Sequence, residues 1–209
     1  MSSSAAVARL KPERDEKREQ ILKEAYAAFL DEGFAATSMS SIAARVGGSK
    51  ATLYNYFSSK EELFAAVIDE KCRDFQGIFL EADVETADFR KVLTQLGERM
   101  LHMMLRDDSI ATFRLITAES ARFPELGRAF YGSGRKRGKQ MLAELFTRAQ
   151  KAGKLRLGNP QDMAVLFIEA CKGELVLLKA WNVNPKPTEK EIKANIATAV
   201  TVFLAAYGA

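Results

Sequence analysis

Of its 209 residues the chain spends one on histidine, two on cysteine, one on tryptophan and five on proline. His102 alone makes no His-x-x-x-His pair, and Cys72 and Cys171 lie far apart with no Cys-x-x-Cys. A structural zinc and a disulfide framework are therefore both disfavoured. Both cysteines sit in helical patterns and read as reduced, buried thiols. No Gly-x-Ser-x-Gly motif is present, so an enzyme would lack machinery, and neither a cofactor nor a metal is expected. No apolar run approaches the ~18 residues of a membrane span. The start, MSSSAAVARLKPERDEKREQ, has no apolar segment and is no secretory signal. A cytoplasmic protein with no membrane partner follows as the expectation. Charge asymmetry is slight as well: 31 Lys and Arg against 27 Asp and Glu, net +4, pI near 9.0. Any positive surface must come from arrangement.

What the chain does have is helical periodicity, end to end. Apolar residues make up 47% of it, enough for a substantial core. No credible strand pair is visible, and the expected fold class is all-α. Residues 1–13 read as a flexible N-terminal arm ending at Pro12. Its Arg9 and Lys11, with Arg14 just beyond, could reach a minor groove. A helix over 14–32 carries Ile21, Leu22, Ala25, Ala28 and Phe29 at spacings of three and four. Gly33 suits its end, and Phe34 should fold back on it. Thr37 or Ser38 would cap a short helix over 39–46, and Gly47-Gly48 breaks it. Ser49 caps a third helix, reaching about residue 57. Ser59-Lys60-Glu61-Glu62 has the form of a capping box and opens a long helix towards Phe79.

Helix, glycine turn, helix within residues 38–57 is a helix-turn-helix unit. Leu53 and Phe57 are its apolar positions, and Lys50, Tyr54 and Lys60 are read as facing away from them. Lys50 at the first turn can reach a phosphate or a guanine edge. Ala51 lets the backbone approach, and a methyl of Ala51 or Thr52 can meet a thymine. Tyr54, Asn55 and Tyr56 supply hydroxyls and an amide. Lys60, at the next helix N-terminus, sits where free N–H groups favour phosphate. A packed core is the bland explanation of the aromatic residues, and Leu53 and Phe57 satisfy it.

The remainder reads as helices over 88–106, 108–122, 124–151, 160–181 and 188–207. Gly132, Gly134 and Gly138 weaken the third of these. The cluster Arg135-Lys136-Arg137-Lys139 is no phosphate loop: Gly132 to Gly138 is one residue too long, and Gln140 stands where Ser or Thr should be. The helices over 160–181 and 188–207 are apolar on several sides, which implies burial between two subunits in a four-helix arrangement. Met100, Met103, Met104, Phe113, Ile116, Phe146 and Phe167 are the large apolar candidates for an effector pocket. His102, Glu119, Glu169 and Trp181 are the polar or amphipathic candidates to orient a ligand there. Plain core is the competing account of the first group.

Residues 34–64, FAATSMSSIAARVGGSKATLYNYFSSKEELF, resemble the TetR family of bacterial repressors. The family pattern is met by Gly33-Phe34, Thr37-Ser38, Ile42-Ala43, Gly47, Ser49, Leu53-Tyr54-Asn55-Tyr56-Phe57 and Lys60-Glu61-Glu62-Leu63, within a match over about 14–72. The chain departs where many members have Ala-Gly-Val, with Val46-Gly47-Gly48. The resemblance implies DNA contacts at Lys50, Ala51, Thr52, Tyr54, Asn55, Tyr56 and Lys60, with Ser38 on the backbone. It implies a DNA-binding domain over 14–60 and an all-helical ligand-binding and dimerisation domain over 61–209. The stretch ITAESARFPELGRAFY resembles the AefR-like branch. The implied function is a repressor that binds a palindromic operator as a homodimer through its last two helices and is released by a small, largely apolar effector. A ligand-independent or corepressor-dependent regulator, or a helical enzyme, are the alternatives.

Overall fold

The structure, a computed structural model, describes the backbone of residues 3–80 and 88–209, and the side chains from Arg14 to Arg73 and from Asp88 onward. The described chain is helical almost throughout. Eleven α-helices follow in order among the described residues: α1 Ser3–Ala36, α2 Met39–Arg45, α3 Lys50–Tyr54, α4 Lys60–Leu80, α5 Phe89–Met104, α6 Asp107–Glu119, α7 Pro124–Phe130, α8 Arg137–Lys151, α9 Pro160–Lys172, α10 Leu175–Ala180 and α11 Glu189–Tyr207. They form two compact units. One is residues 1–71 with 115–130; the other is 72–114 with 131–209. Both units contain part of α4 and part of α6.

Several boundaries differ from the sequence expectation, each for a physical reason. The segment 3–13, read as a loose arm, is helical from Ser3 and runs into α1. Its Ala, Leu, Arg, Lys and Glu are good helix formers, and extending an existing helix avoids the cost of nucleation. Residues 1–2 and the side chains of Arg9 and Lys11 lie outside the described residues, as does the side chain of Phe79. The third helix is one turn shorter than expected, ending at Tyr54 with Asn55 as its cap. The helix expected over 124–151 is α7 and α8 joined by a π-helical segment, Tyr131–Lys136. A π insertion absorbs one extra residue without stopping the helix, so the glycines there loosen the coil rather than break it.

The helix expected over 160–181 stops at Gly173, whose φ is +48°. A Cβ there would lie 2.2 Å from Oδ1 of Asn195. The Asn195 amide instead donates to the carbonyl of Cys171 at 2.7 Å, satisfying a free end of α9 from α11. Beyond it α10 is locked to the α5–α6 corner. Arg114 donates to the carbonyls of Ala180 (2.6 Å) and Lys179 (2.9 Å), and Lys179 donates to Leu105 (2.6 Å). Each cation thus takes up orphan carbonyls at a helix end.

The core of the first unit is aromatic. Phe34, fully buried, lies 5.5 Å from Phe29, 5.4 Å from Phe64 and 5.0 Å from Phe123, ring centre to ring centre. The Phe64 and Phe123 pairs are edge-on, and pairs of that kind add about 0.5–1.5 kcal/mol each beyond area burial. The first half of α4 belongs here: Leu63, Phe64, Val67 and Ile68 are all buried. The core of the second unit is built by α5, α8, α9 and α11 around Phe146, Phe167 and Phe203, whose rings lie 5.0–5.8 Å apart. Cys171 is buried there, and burial pushes its thiol up to about 12. That leaves it protonated and inert at neutral pH.

Candidate nucleic-acid interface and effector residues

The α2–turn–α3 unit is built by its caps. Ser38 caps α2: its hydroxyl accepts from Ser41 N–H at 3.0 Å, while Ser41 accepts from Ser38 N–H at 3.1 Å. At the other end Gly47 adopts φ +68°, a left-handed turn that any side chain would strain. Ser49 then caps α3, accepting from Thr52 N–H at 3.0 Å with the Thr52 hydroxyl 2.9 Å away. Arg45 bridges Asp31 and Glu32 on α1, at 2.9 and 2.7 Å. The bridge is exposed and contributes little energy, yet it sets the end of α2 against α1.

These constraints sort the side chains of α3 and its exit. Ile42, Leu53 and Phe57 are buried under the unit. Lys50, Ala51, Tyr54 and Asn55 are exposed together, with Thr52 and Tyr56 half-buried beside them and Ser38 exposed at the start of α2. Tyr54 is 44% exposed, although an aromatic ring is a costly group to leave in water. The Lys50 ammonium stands 5.8 Å from its ring.

Lys60 stands apart from that set. Its ammonium donates to the carbonyls of Phe34 (2.6 Å), Thr37 (2.8 Å) and Ala35 (3.5 Å) and rests 4.3 Å from the centre of the Phe34 ring. An ammonium has three donors, and all three are used on the chain's own backbone just past Gly33. The residue expected to meet a phosphate is instead a staple between α4 and the end of α1. Lys60→Ala is accordingly expected to destabilise the fold by about 1–3 kcal/mol, the worth of charge-assisted bonds to carbonyls. The salt dependence of DNA binding should stay unchanged. Urea denaturation and a salt titration separate the two effects; a slope reduced at unchanged stability would restore the phosphate reading. The neighbouring capping box is shifted by one residue. Ser59 caps α4 through Glu62 N–H (3.1 Å), but the Glu62 carboxylate takes the hydroxyl and N–H of Ser58, which hold it below the usual carboxylate range.

The effector candidates divide. Met100, Phe146 and Phe167 are fully buried in the second unit, and Met103, Met104 and Phe113 pack half-buried against the same core. Ile116 and Glu119 belong to the first unit. Ile116 is buried there, and the Glu119 carboxylate accepts from Ala35 N–H at 3.5 Å. His102 is exposed and pairs with Glu189 at 3.5 Å. Glu169 is exposed on α9. Burial pushes its carboxyl up, but Lys172, 2.9 Å away, and Arg135 outweigh that and hold it below its ordinary value. Trp181 is 67% exposed at the end of α10. The six Met and Phe side chains of the second unit therefore share one core, without the four residues expected to orient a ligand. Phe123 and Arg114 went unnoticed in the sequence. Phe123 lies in the turn before Pro124, where no periodicity marks it, and Arg114 reads as an ordinary exposed charge on α6. No group of three His, Cys, Asp or Glu side chains able to hold a metal occurs among the described residues, and no described helix is long and apolar enough to cross a membrane.

Two family models match the chain: residues 21–67 fit "Bacterial regulatory proteins, tetR family", and residues 91–209 fit "AefR-like transcriptional repressor, C-terminal domain". A solved structure of a putative TetR-family regulator from Mesorhizobium loti MAFF303099 is similar, with a TM-score of 0.83 at 27% identity, covering 93% of this chain and 98% of that one. The solved structure named flavonoid-responsive regulator FrrA is similar too, with a TM-score of 0.82 at 34% identity and the same coverage. Among curated proteins, the HTH-type transcriptional activator FasR of Mycolicibacterium smegmatis is 37% identical over 103 residues, 49% of this chain and 46% of that protein. A regulator of Bacillus subtilis, YvaF, is 32% identical over 84 residues, 40% of this chain and 43% of that one. The chain spans less than half the length of these two curated relatives. Fold, helix-turn-helix and both family matches agree: this chain belongs to the TetR family of bacterial regulatory proteins, as a DNA-binding transcriptional regulator with an AefR-like C-terminal domain, and is not an enzyme.

Proposed function

We propose that the chain is a ligand-responsive repressor that binds a palindromic operator as a homodimer and is released by a small, largely apolar molecule. The observation that carries this reading is the α3 surface, where Lys50, Ala51, Tyr54 and Asn55 stand exposed over a buried Leu53 and Phe57. Ser38, Thr52 and Tyr56 complete the surface offered to DNA. Base readout falls to Asn55, whose amide pairs with adenine in the major groove, and positioning falls to Lys50 and the hydroxyls. In a two-fold dimer the two copies of α3 would sit about 34–36 Å apart, one groove turn, which is what makes the operator a palindrome.

Dimerisation is assigned to α9 and α11, the last two long helices. Val165 and Leu166 on α9 and Val202 on α11 are 41%, 52% and 60% exposed, and Ala197, Ala205 and Ala206 add small exposed positions to α11. The effector is assigned to the Met and Phe core of the second unit, where flexible thioethers repack readily. Similarity to a protein named flavonoid-responsive supports a small organic effector. The repressor sense follows the description of the matching C-terminal family, while a relative matching 49% of the chain is named an activator. The effector signal enters the DNA-binding unit at Phe123 and Glu119, which touch Phe34 and Ala35 beside the Lys60 staple. A coupling of about 1–3 kcal/mol there would weaken DNA binding about 5–150-fold.

The test is a gel shift on the DNA upstream of the protein's own gene, with and without a panel of flavonoids and other apolar compounds, alongside a transcription reporter. Binding that one compound releases, with the reporter rising in its presence, is expected. Binding unchanged across the panel would favour the ligand-independent alternative, and a reporter that falls on release would make the protein an activator.

A further inference from the structure

Three cations follow one another along α1 at positions i, i+3 and i+4: Arg14, Lys17 and Arg18. That spacing puts them on one stripe of the helix. Each of the three meets the helix-turn-helix. Lys17 donates to the carbonyl of Val46, the cap of α2, at 3.3 Å, and to Gln20 at 3.0 Å. Arg18 lies over the Phe57 ring at 5.5 Å, and Arg14 over the Tyr56 ring at 5.8 Å. Lys17 and Arg18 are half-buried, and the first has given up donors to the fold. Arg14 is exposed and meets only a ring face. Among the described residues no carboxylate or carbonyl takes its guanidinium, so its five donors remain unspent.

An arginine over an aromatic face leaves its N–H donors free of that ring, and their fork matches a phosphate bidentately. Tyr56 sits immediately after α3, at the edge of the surface that would meet the groove. A cation held over it lies at that same edge. We infer that Arg14 is a DNA-contact residue, binding a backbone phosphate at the flank of each half-site while its stacking holds Tyr56 in place. This rests on the proposed DNA face of α3. It differs from a minor-groove arm, because Arg14 is anchored to the reading unit and takes a phosphate rather than a base edge. A phosphate contact extends the footprint and raises affinity for all sequences alike.

A neutral tyrosine releases no counterion, so the salt slope of binding reports Arg14 and not Tyr56. Full-length protein is titrated between 50 and 200 mM NaCl against two duplexes, the DNA upstream of its own gene and a scrambled duplex of equal length. Each phosphate contact contributes about 0.9 to the slope, so Arg14→Ala should lower it by about 1.8 in a dimer carrying two, on both duplexes. Arg14→Lys should keep the slope with weaker binding. Tyr56→Leu should keep the slope, and adding Arg14→Ala to it should produce the same drop. Thermal denaturation of Arg14→Ala should match the wild type, since the side chain is exposed. An unchanged slope in Arg14→Ala, while the wild type binds with a steep one, overturns the Arg14 contact and leaves the α3 reading standing. A drop that vanishes in the Tyr56→Leu background overturns direct contact, because Arg14 would then act only through the ring. A wild type with no salt-dependent binding to either duplex overturns the α3 reading and this inference with it.

Discussion

Tyr54→Ala is expected to remove operator binding while leaving the protein folded and its oligomeric state unchanged. The ring is 44% exposed and the Lys50 ammonium lies 5.8 Å from its centre, so the fold gives up little when it goes. Exposed substitutions of this kind usually fall within about 0.5 kcal/mol of neutral. DNA binding is another matter. A hydroxyl bonded to a charged phosphate is worth about 1.5–3 kcal/mol, and a two-fold dimer uses the residue twice. The expected loss is then at least about 3 kcal/mol, roughly a hundredfold. Tyr54→Phe separates the hydroxyl from the ring: full loss assigns the effect to the bond, wild-type binding assigns it to stacking against sugar or a thymine methyl. Fluorescence anisotropy with a labelled duplex measures all three proteins. Unchanged affinity in Tyr54→Ala would sink the assignment of the α3 face, whatever the family relationship says about DNA binding in general.

The contrast between Tyr54 and Lys60 shows where sequence reasoning carries and where it stops. Helical spacing pairs Leu53 with Phe57, four apart, but Lys50 and Tyr54 lie three residues from Leu53 and Phe57, so residue type rather than period separates the two sets. The caps were equally legible, since Ser38 and Ser49 each act within three residues. Lys60 is bonded to carbonyls 23–26 residues earlier. Nothing in its own neighbourhood announces that. A lysine at a helix N-terminus looks like a phosphate ligand until the chain brings α1 back to it. The effector set divides for a related reason. Met100, Phe146 and Phe167 come together because apolar side chains have one place to go. His102, Glu169 and Trp181 are polar or amphipathic and have two. The structure puts them on the outside, with His102 against Glu189 and Glu169 against Lys172 and Arg135. The break at Gly173 was hidden by apolar residues on both sides of it; its cause, Asn195, lies in another helix.

Leu166→Arg is expected to convert the protein to monomers and, through that, to abolish specific DNA binding. Leu166 and Val165 project from α9 on the side away from Met163, Ala164 and Phe167, which are buried. Val202 projects likewise from α11, beside buried Val200 and Phe203. Two helices that keep one face in their own core and leave large aliphatic groups on the other need a second surface, and in a closed two-fold pair that surface is the same face of another copy. A charge placed there is repeated by symmetry. Each copy would be buried without a partner, at a cost of about 3–5 kcal/mol when no counter-charge is available. One copy alone moves the dimer dissociation constant by more than about a hundredfold. The monomer should keep its stability, because the side chain it replaces is already 52% exposed. Val202→Arg should act the same way. Leu157→Arg, at a site 92% exposed between α8 and α9, should leave the dimer intact. Light scattering at micromolar and nanomolar protein reads the mass, and anisotropy on the same samples reads the operator. The two losses must travel together: with the half-sites no longer linked, each α3 binds alone and the gain from effective concentration disappears. A stable dimer in Leu166→Arg would move the interface off α9. A monomer that still bound the operator at wild-type affinity would instead remove the palindrome.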